Sequence, residues 1–358
     1  MSRQMAASKR RPRVAVTMGD PAGIGPEICL RLLADSRVLR RCVPVVFGNA
    51  EVLDRVARAC RLPGPDRVVT GEQGHSDLSE SSPAVVDPGG LEAYRVRPGR
   101  VQASCGRAGF RFLEAAATRT MNGEFAALAT GPINKQALQA GGIPFSGHTD
   151  YLAAATGTPA VYMMLASDEL RVSMVTGHVG VERVSRELTK ARVLEAIRLT
   201  RDAVVNLRGE TPRLAVSGLN PHAGEGGLFG SGEEEHVIRP AVEAARREGM
   251  EVDGPLPADT LFVPSVRSRY QAVVTMYHDQ GHVPFKMISF DRGIHMTLGL
   301  PLVRTSVAHG TAFDIAWTGR ASPQSLIQAV LWAGRLAERK RAVRGRSAAG
   351  RTAARRVG

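Results

Sequence analysis

The chain has 358 residues, 43% hydrophobic and 23% charged. These values sit near the globular average, exclude a disordered, collagen-like or coiled-coil protein, and leave room for two domains of ordinary size. The net charge of +13 lies entirely in the two ends, because residues 14–334 hold 33 basic and 33 acidic residues.

The first thirteen residues carry Arg3, Lys9, Arg10, Arg11 and Arg13 and no acid. Residues 335–358 carry nine basic residues against Glu338 alone. Such tails bind polyanions weakly and in a salt-dependent way. A nucleic-acid-binding protein is therefore the competing class, and the neutral body argues against it. Residues 1–12 and 341–358 are expected to be disordered, solubilising tails. The N-terminus lacks an apolar h-region, so it does not read as a secretory signal; a transit peptide and a ragged bacterial N-terminus both fit. No run of eighteen apolar residues exists, so no transmembrane helix is expected. Cys29, Cys42, Cys60 and Cys105 form no Cys-x-x-Cys pair and read as reduced thiols of a cytoplasmic protein.

In chain order, apolar runs predict strands at Val14–Thr17, Val43–Phe47, Phe125–Thr130, Leu170–Thr176, Leu214–Leu219 and Ala272–Tyr277. Amphipathic stretches predict helices at Ile24–Ala34, Ala50–Cys60, Gly106–Met121, Lys190–Asn206, Val237–Glu248 and Ser322–Glu338. Pro26 suits the first turn of the first helix. Residues 61–105, rich in Gly, Pro and Ser, read as loops with one short strand. The alternation is that of βαβ units on a mostly parallel sheet.

Five of the predicted strands end in polar clusters: Gly19-Asp20-Pro21-Ala22-Gly23-Ile24-Gly25, Gly131-Pro132-Ile133-Asn134-Lys135, Gly177-His178, Asn220-Pro221-His222 and His278-Asp279-Gln280-Gly281. In open α/β sheets ligands bind at the carboxyl ends of strands, so these clusters predict one active site. His178, His222 and His278 are 44 and 56 residues apart, too far for a short metal motif. Their strand-end placement lets them converge on a metal. Loop histidines bonded to backbone fit the same spacing.

Only five lysines stand among 42 arginines. Lys135 and Lys286 are therefore candidates for a role that Arg cannot fill, such as a titrating amine or a point-charge phosphate contact. Leftover surface lysines read the same way. Gly147-His148-Thr149-Asp150 offers donors to a phosphate or carboxylate, and equally reads as a helix capped by Thr149. Arg292 and Arg304, beside glycine turns, suit an anion clamp or plain surface. No Gly-x-Gly-x-x-Gly, Walker A or Gly-x-Ser-x-Gly pattern occurs, which disfavours a Rossmann dinucleotide fold, P-loop phosphotransfer and α/β-hydrolase chemistry.

Seven ordered motifs between about residues 13 and 335 together resemble the 4-hydroxythreonine-4-phosphate dehydrogenases. They are Gly19-Asp-Pro-Ala-Gly-Ile-Gly-Pro-Glu27, Thr130-Gly-Pro-Ile-Asn-Lys135, Gly147-His-Thr-Asp150, Leu219-Asn-Pro-His-Ala-Gly-Glu-Gly-Gly227, Gly254-Pro-Leu-Pro-Ala-Asp-Thr260, Tyr277-His-Asp-Gln-Gly281 and Thr297-Leu-Gly-Leu-Pro301. His309-Gly-Thr-Ala-Phe-Asp-Ile-Ala316 is similar to the adenosine-binding loop of the isocitrate and isopropylmalate dehydrogenases, which bind NAD without the Rossmann fingerprint.

The resemblance implies an isocitrate/isopropylmalate dehydrogenase-like three-layer α/β/α fold with two interleaved domains and a central cleft. The first domain would take residues 13–147 and 297–340, the second 148–296 with the dimer interface. It implies a homodimer with a shared active site. His178, His222 and His278 match the divalent-metal ligands (Zn, Mg or Co). His148, Thr149, Lys286 and Arg304 match substrate contacts. His295 stands where the family carries Asn. His309, Gly310, Thr311, Ala312 and Asp314 would bind NAD or NADP. The reaction implied is NAD-dependent oxidation of 4-phosphohydroxy-L-threonine, with decarboxylation, to 3-amino-2-oxopropyl phosphate, a step of pyridoxal phosphate synthesis. Catalytic roles are expected for Lys286 and Asp259, with Asp259 or a metal-bound water as general base. His282, Phe229 and the Phe-Asp-Ile-Ala run resemble the branch that oxidises 4-phospho-D-threonate or 4-phospho-D-erythronate; dihydrodiol dicarboxylate dehydrogenases are more distant relatives.

Overall fold

A computed structural model describes residues 10–71, 78, 79 and 81–354, apart from the side chains of 291 and 343–354. Residues 1–9 and 355–358, expected as tail, lie outside the described residues. The chain forms two compact units, one from the residues up to His148 with His309–Arg341, the other centred on Thr149–Ala308.

The first unit opens with β1 (Arg13–Thr17), α1 (Gly25–Leu33), α2 (Ser36–Arg41), β2 (Val43–Phe47), α3 (Ala50–Cys60), β3 (Val68–Thr70) and β4 (Ala84–Asp87). It continues with α4 (Ala103–Met121), β5 (Ala127–Thr130) and α5 (Lys135–Ala140). Its strands run in the order β3-β4-β2-β1-β5, and every pairing is parallel. Central parallel strands are covered on both faces, which explains why β2 reads Val-Pro-Val-Val-Phe and every one of its residues is buried. Helix starts follow their caps: the Asn49 side chain accepts the Val52 N–H at 2.9 Å, and Pro26 sits in the first turn of α1.

In the second unit come α6 (His148–Ala155), β6 (Tyr162–Ala166), β7 (Arg171–Met174), α7 (Val184–Glu187), α8 (Lys190–Arg208), β8 (Arg213–Ser217) and α9 (Arg239–Arg247). Then follow β9 (Glu251–Leu256), α10 (Ala258–Leu261), α11 (Pro264–Arg267), β10 (Ala272–Thr275), α12 (His278–Ser289), β11 (Ile294–Leu298) and β12 (Arg304–Val307). Strand order here is β12-β11-β6-β7-β10-β8-β9. β7, β10, β8 and β9 are mutually parallel, whereas β6 and β11 pair antiparallel with their neighbours. The core under β7 and β10 joins Val172, Met174, Val273, Leu261 and Phe285. Phe285 is 1% exposed, a burial worth about 1.5–3 kcal/mol. The last helix, α13, covers Gln324–Ala354.

All six predicted strands and all six predicted helices form. Four strands were not foreseen: β6, β9, β11 and β12. Residues 61–105 hold two short strands, β3 and β4, in place of one. Residues 341–354, expected as an irregular tail, continue α13, because Ala and Arg propagate a helix already nucleated at Gln324. Residues 297–308 belong with the second unit, where β12 pairs with β11.

Candidate active site

Three histidines occupy equivalent places in the second unit. β7, β10 and β8 are neighbours and parallel, so the chain leaves all three at one edge of the sheet. His178 follows β7, His278 opens α12 after β10, and His222 lies in the turn after β8. The rings of His178 and His278 are 5.5 Å apart, centroid to centroid. His278 Nδ1 lies 2.6 Å from Asp279 Oδ1. That hydrogen bond holds the Asp279 carboxyl below its usual range. An ionised carboxylate only accepts, so His278 Nδ1–H donates and a neutral ring keeps the Nε2 lone pair for a metal. The convergence of all three histidines is not found in one chain: among the described residues no group of three His, Cys, Asp or Glu is placed to hold a metal.

Further imidazoles extend the cluster. His282, one turn along α12, stacks on His278 with centroids 3.6 Å apart, and its Nδ1 lies 3.1 Å from the His278 carbonyl. His295, on β11, meets His282 edge-on at 5.7 Å. Burial, then the neighbouring positive charges, pushes His282 down to about 4 and His295 down to about 3. Arg304, on β12, is buried and donates to Thr297 Oγ1 at 2.8 Å; burial lowers it to about 10. Lys286 is exposed on α12, and Asp259 is exposed on α10, directly after β9. His148 and Thr149 are the half-buried first residues of α6, so Thr149 lies inside the helix and is not its cap.

The first unit contributes a second polar site. Its glycine motif packs against the 309–321 loop. Ile24 N–H donates to the Thr311 carbonyl at 3.0 Å, and a Cβ on Gly23 would stand 2.9 Å from Thr311 Cβ. Only glycine permits that approach. Glu27, fully buried, accepts from Gly319 N at 3.1 Å and Ala321 N at 3.0 Å. Ala312 adopts φ +41°, a left-handed conformation that is strained for Ala. Two buried polar atoms here lack hydrogen-bond partners, Asp20 Oδ2 and His309 Nε2. Burial raises Asp20 to about 6 and lowers His309. Gly310, Thr311 and Asp314 lie in the same loop, with Thr311 buried and Asp314 exposed.

Sequence reasoning gave no role to Glu27, Asp20, Glu233 or Glu234. Glu233 and Glu234 stand in an unbroken run of three acids, Glu233-Glu234-Glu235, and both are buried. Their signal was position, a few residues beyond a glycine-dense loop that needs external hydrogen bonds.

A family profile described as "Pyridoxal phosphate biosynthetic protein PdxA" matches residues 40–333. The chain is 44% identical over 325 residues to a 4-hydroxythreonine-4-phosphate dehydrogenase of Desulforapulum autotrophicum, covering 89% of this chain and 94% of the relative. It is 43% identical over 329 residues to a D-threonate 4-phosphate dehydrogenase of Cupriavidus necator, covering 92% and 98%. A crystal structure of 4-hydroxythreonine-4-phosphate dehydrogenase from Klebsiella pneumoniae matches with TM-score 0.81 and 39% identity, over 92% of this chain and 99% of that one.

Proposed function

The chain belongs to the PdxA family, and from that premise we propose that it is a dehydrogenase oxidising 4-phosphohydroxy-L-threonine with NAD and a divalent metal. The observation that carries this reading is the parallel triplet β7-β10-β8, which delivers His178, His278 and His222 to one sheet edge.

The donor set fits a divalent ion of the zinc or cobalt kind: two imidazoles with ring centroids 5.5 Å apart, one oriented by a carboxylate. When bound, such an ion supplies Lewis-acid polarisation of the substrate hydroxyl. NAD fits the first unit, where His309 Nε2 and Asp20 Oδ2 are buried donors or acceptors still to be matched. His309, Gly310, Thr311, Ala312 and Asp314 hold the cofactor in this reading.

His148, Thr149, Lys286 and Arg304 hold the phosphate and carboxylate, orienting the hydroxyl-bearing carbon for hydride loss. Asp259, exposed on α10 directly after β9, takes the hydroxyl proton. Oxidation leaves a β-keto acid, which loses carbon dioxide.

The site is shared by two subunits. Among the described residues no three His, Cys, Asp or Glu side chains of one chain are placed to hold a metal, and Val283 and Met287 of α12, with Phe290 just beyond its end, face solvent at helical spacing, Met287 83% exposed. A second copy covering this stripe brings its own His222 to the pair.

D-threonate 4-phosphate is the second reading. Threonate carries a hydroxyl where threonine carries an ammonium. His295 and His282, both held neutral beside Arg304 and Lys286, suit a hydroxyl better than a cation.

The test is NADH formation by the metal-loaded protein with 4-phosphohydroxy-L-threonine. Turnover lost on chelation and restored by metal is expected. Equal turnover in metal-free protein contradicts the reading.

A further inference from the structure

Six consecutive residues after β8 hold positive φ: His222 53°, Ala223 53°, Gly224 80°, Glu225 43°, Gly226 68° and Gly227 94°. Three of them are not glycine. Left-handed backbone is disfavoured for a non-glycine residue, so contacts outside the run must hold it.

The contacts come from two carboxylates. Glu234 is 0% exposed, yet its Oε1 accepts from Leu219 N and Asn220 N, each at 2.8 Å. Its Oε2 accepts from Asn220 Nδ2 at 2.9 Å. Glu233 takes the other bond of the same amide at 3.0 Å, and also accepts from Ser231 N at 2.7 Å and Ser185 Oγ at 2.6 Å. Burial pushes Glu233 up, but these hydrogen bonds outweigh it and bring the carboxyl to about 2. The loop also closes onto Glu234 sterically. A Cβ on Gly224 would stand 2.9 Å from Oε2, and one on Gly218 would stand 3.1 Å from Oε1. Glu234 opens a five-residue π turn that leads into α9, a wide turn that is frequent at functional sites.

A fully buried carboxylate is costly unless fully bonded. Here all its bonds go to one turn, two residues before His222. We propose that Glu234, braced by Glu233, is the positioning residue that fixes the left-handed turn and thereby sets the His222 ring for a divalent metal. This rests on reading His222 as a ligand.

Glu234→Gln tests it. The Gln carbonyl keeps the two backbone N–H bonds. Its amide then meets the Asn220 amide donor to donor, and Asn220 cannot flip without turning its oxygen toward Glu233. Cobalt(II) titration, read by visible absorption and by competition with zinc, reports the site independently of turnover. The expected result is a 10–100-fold loss of metal affinity and an altered cobalt spectrum in Glu234→Gln, with no further loss when it is added to His222→Ala. A folded Glu234→Gln with wild-type affinity and spectrum, while His222→Ala loses metal, overturns the positioning role alone. Wild-type affinity in His222→Ala overturns the ligand reading and the proposal with it. Should Glu234→Gln fail to fold, Gly224→Ala presses on the same carboxylate from the loop side. A several-fold loss of cobalt affinity is expected there, and none overturns the proposal.

Discussion

The rings of His278 and His282 lie 3.6 Å apart and 10° from parallel. Two imidazolium cations in that contact would repel strongly, and burial already holds His282 down to about 4. His295, down at about 3, behaves alike. Both bind a proton less readily folded than at the ordinary 6.5, so between pH 6.5 and about 4 the unfolded chain carries more protons. Their contribution is therefore intact above pH 6.5 and is lost as the pH falls below it. His295→Asn should lose less thermal stability than the wild type between pH 7.5 and pH 5. Thermal melts at the two pH values check this, and an equal acid penalty would contradict it.

Asp20 has the opposite sign. Its folded pKa, about 6, exceeds the ordinary 3.8, so the folded state holds the proton longer and pays for ionisation as the pH rises between those values. Asp20→Asn removes that charge while keeping the acceptor for Ala22 N. Relative to wild type, the variant should gain on the order of 2 kcal/mol from pH 4 to pH 8, measured by urea unfolding. A difference independent of pH would show that the carboxyl is not forced to ionise in a dry site.

Gly23→Ala should separate the glycine motif from Thr311, since the new Cβ has nowhere to go. The expected effect is a rise in KM for NAD of about tenfold, with metal affinity unchanged. Unchanged KM for NAD would remove the cofactor from this loop.

Much of this architecture was legible because parallel strands buried on both faces write unbroken apolar runs, as in β1, β2 and β10. The antiparallel strands β6, β11 and β12 escaped. β11 alternates His295 and Thr297 with apolar residues, and β12 is Arg-Thr-Ser-Val, so neither makes an apolar run. α12 was hidden by Gly281 and Pro284, poor helix formers tolerated here because Phe285 anchors the helix in the core. The strand-end histidines were legible one by one. That β10 sits between β7 and β8 was not, because strand order depends on crossovers that sequence spacing does not encode. Glu234 was illegible for a similar reason, since its partners Leu219 and Asn220 become visible only once the turn is closed.

If His222 acts across the subunit interface, neither His222→Ala nor His278→Ala alone supports turnover, but a hybrid dimer of the two keeps one complete site. Random mixing should then restore about a quarter of wild-type activity. No restoration after verified subunit exchange would place all three ligands in one chain.

The most direct measurement is kcat/KM of the metal-loaded protein for 4-phosphohydroxy-L-threonine, D-threonate 4-phosphate and D-erythronate 4-phosphate, side by side, by NADH formation. The highest value is expected for 4-phosphohydroxy-L-threonine, with His295 then a tolerated replacement for Asn. Turnover confined to the two sugar-acid phosphates would contradict that assignment and make the His282–His295 pair the element that selects a hydroxyl over an ammonium.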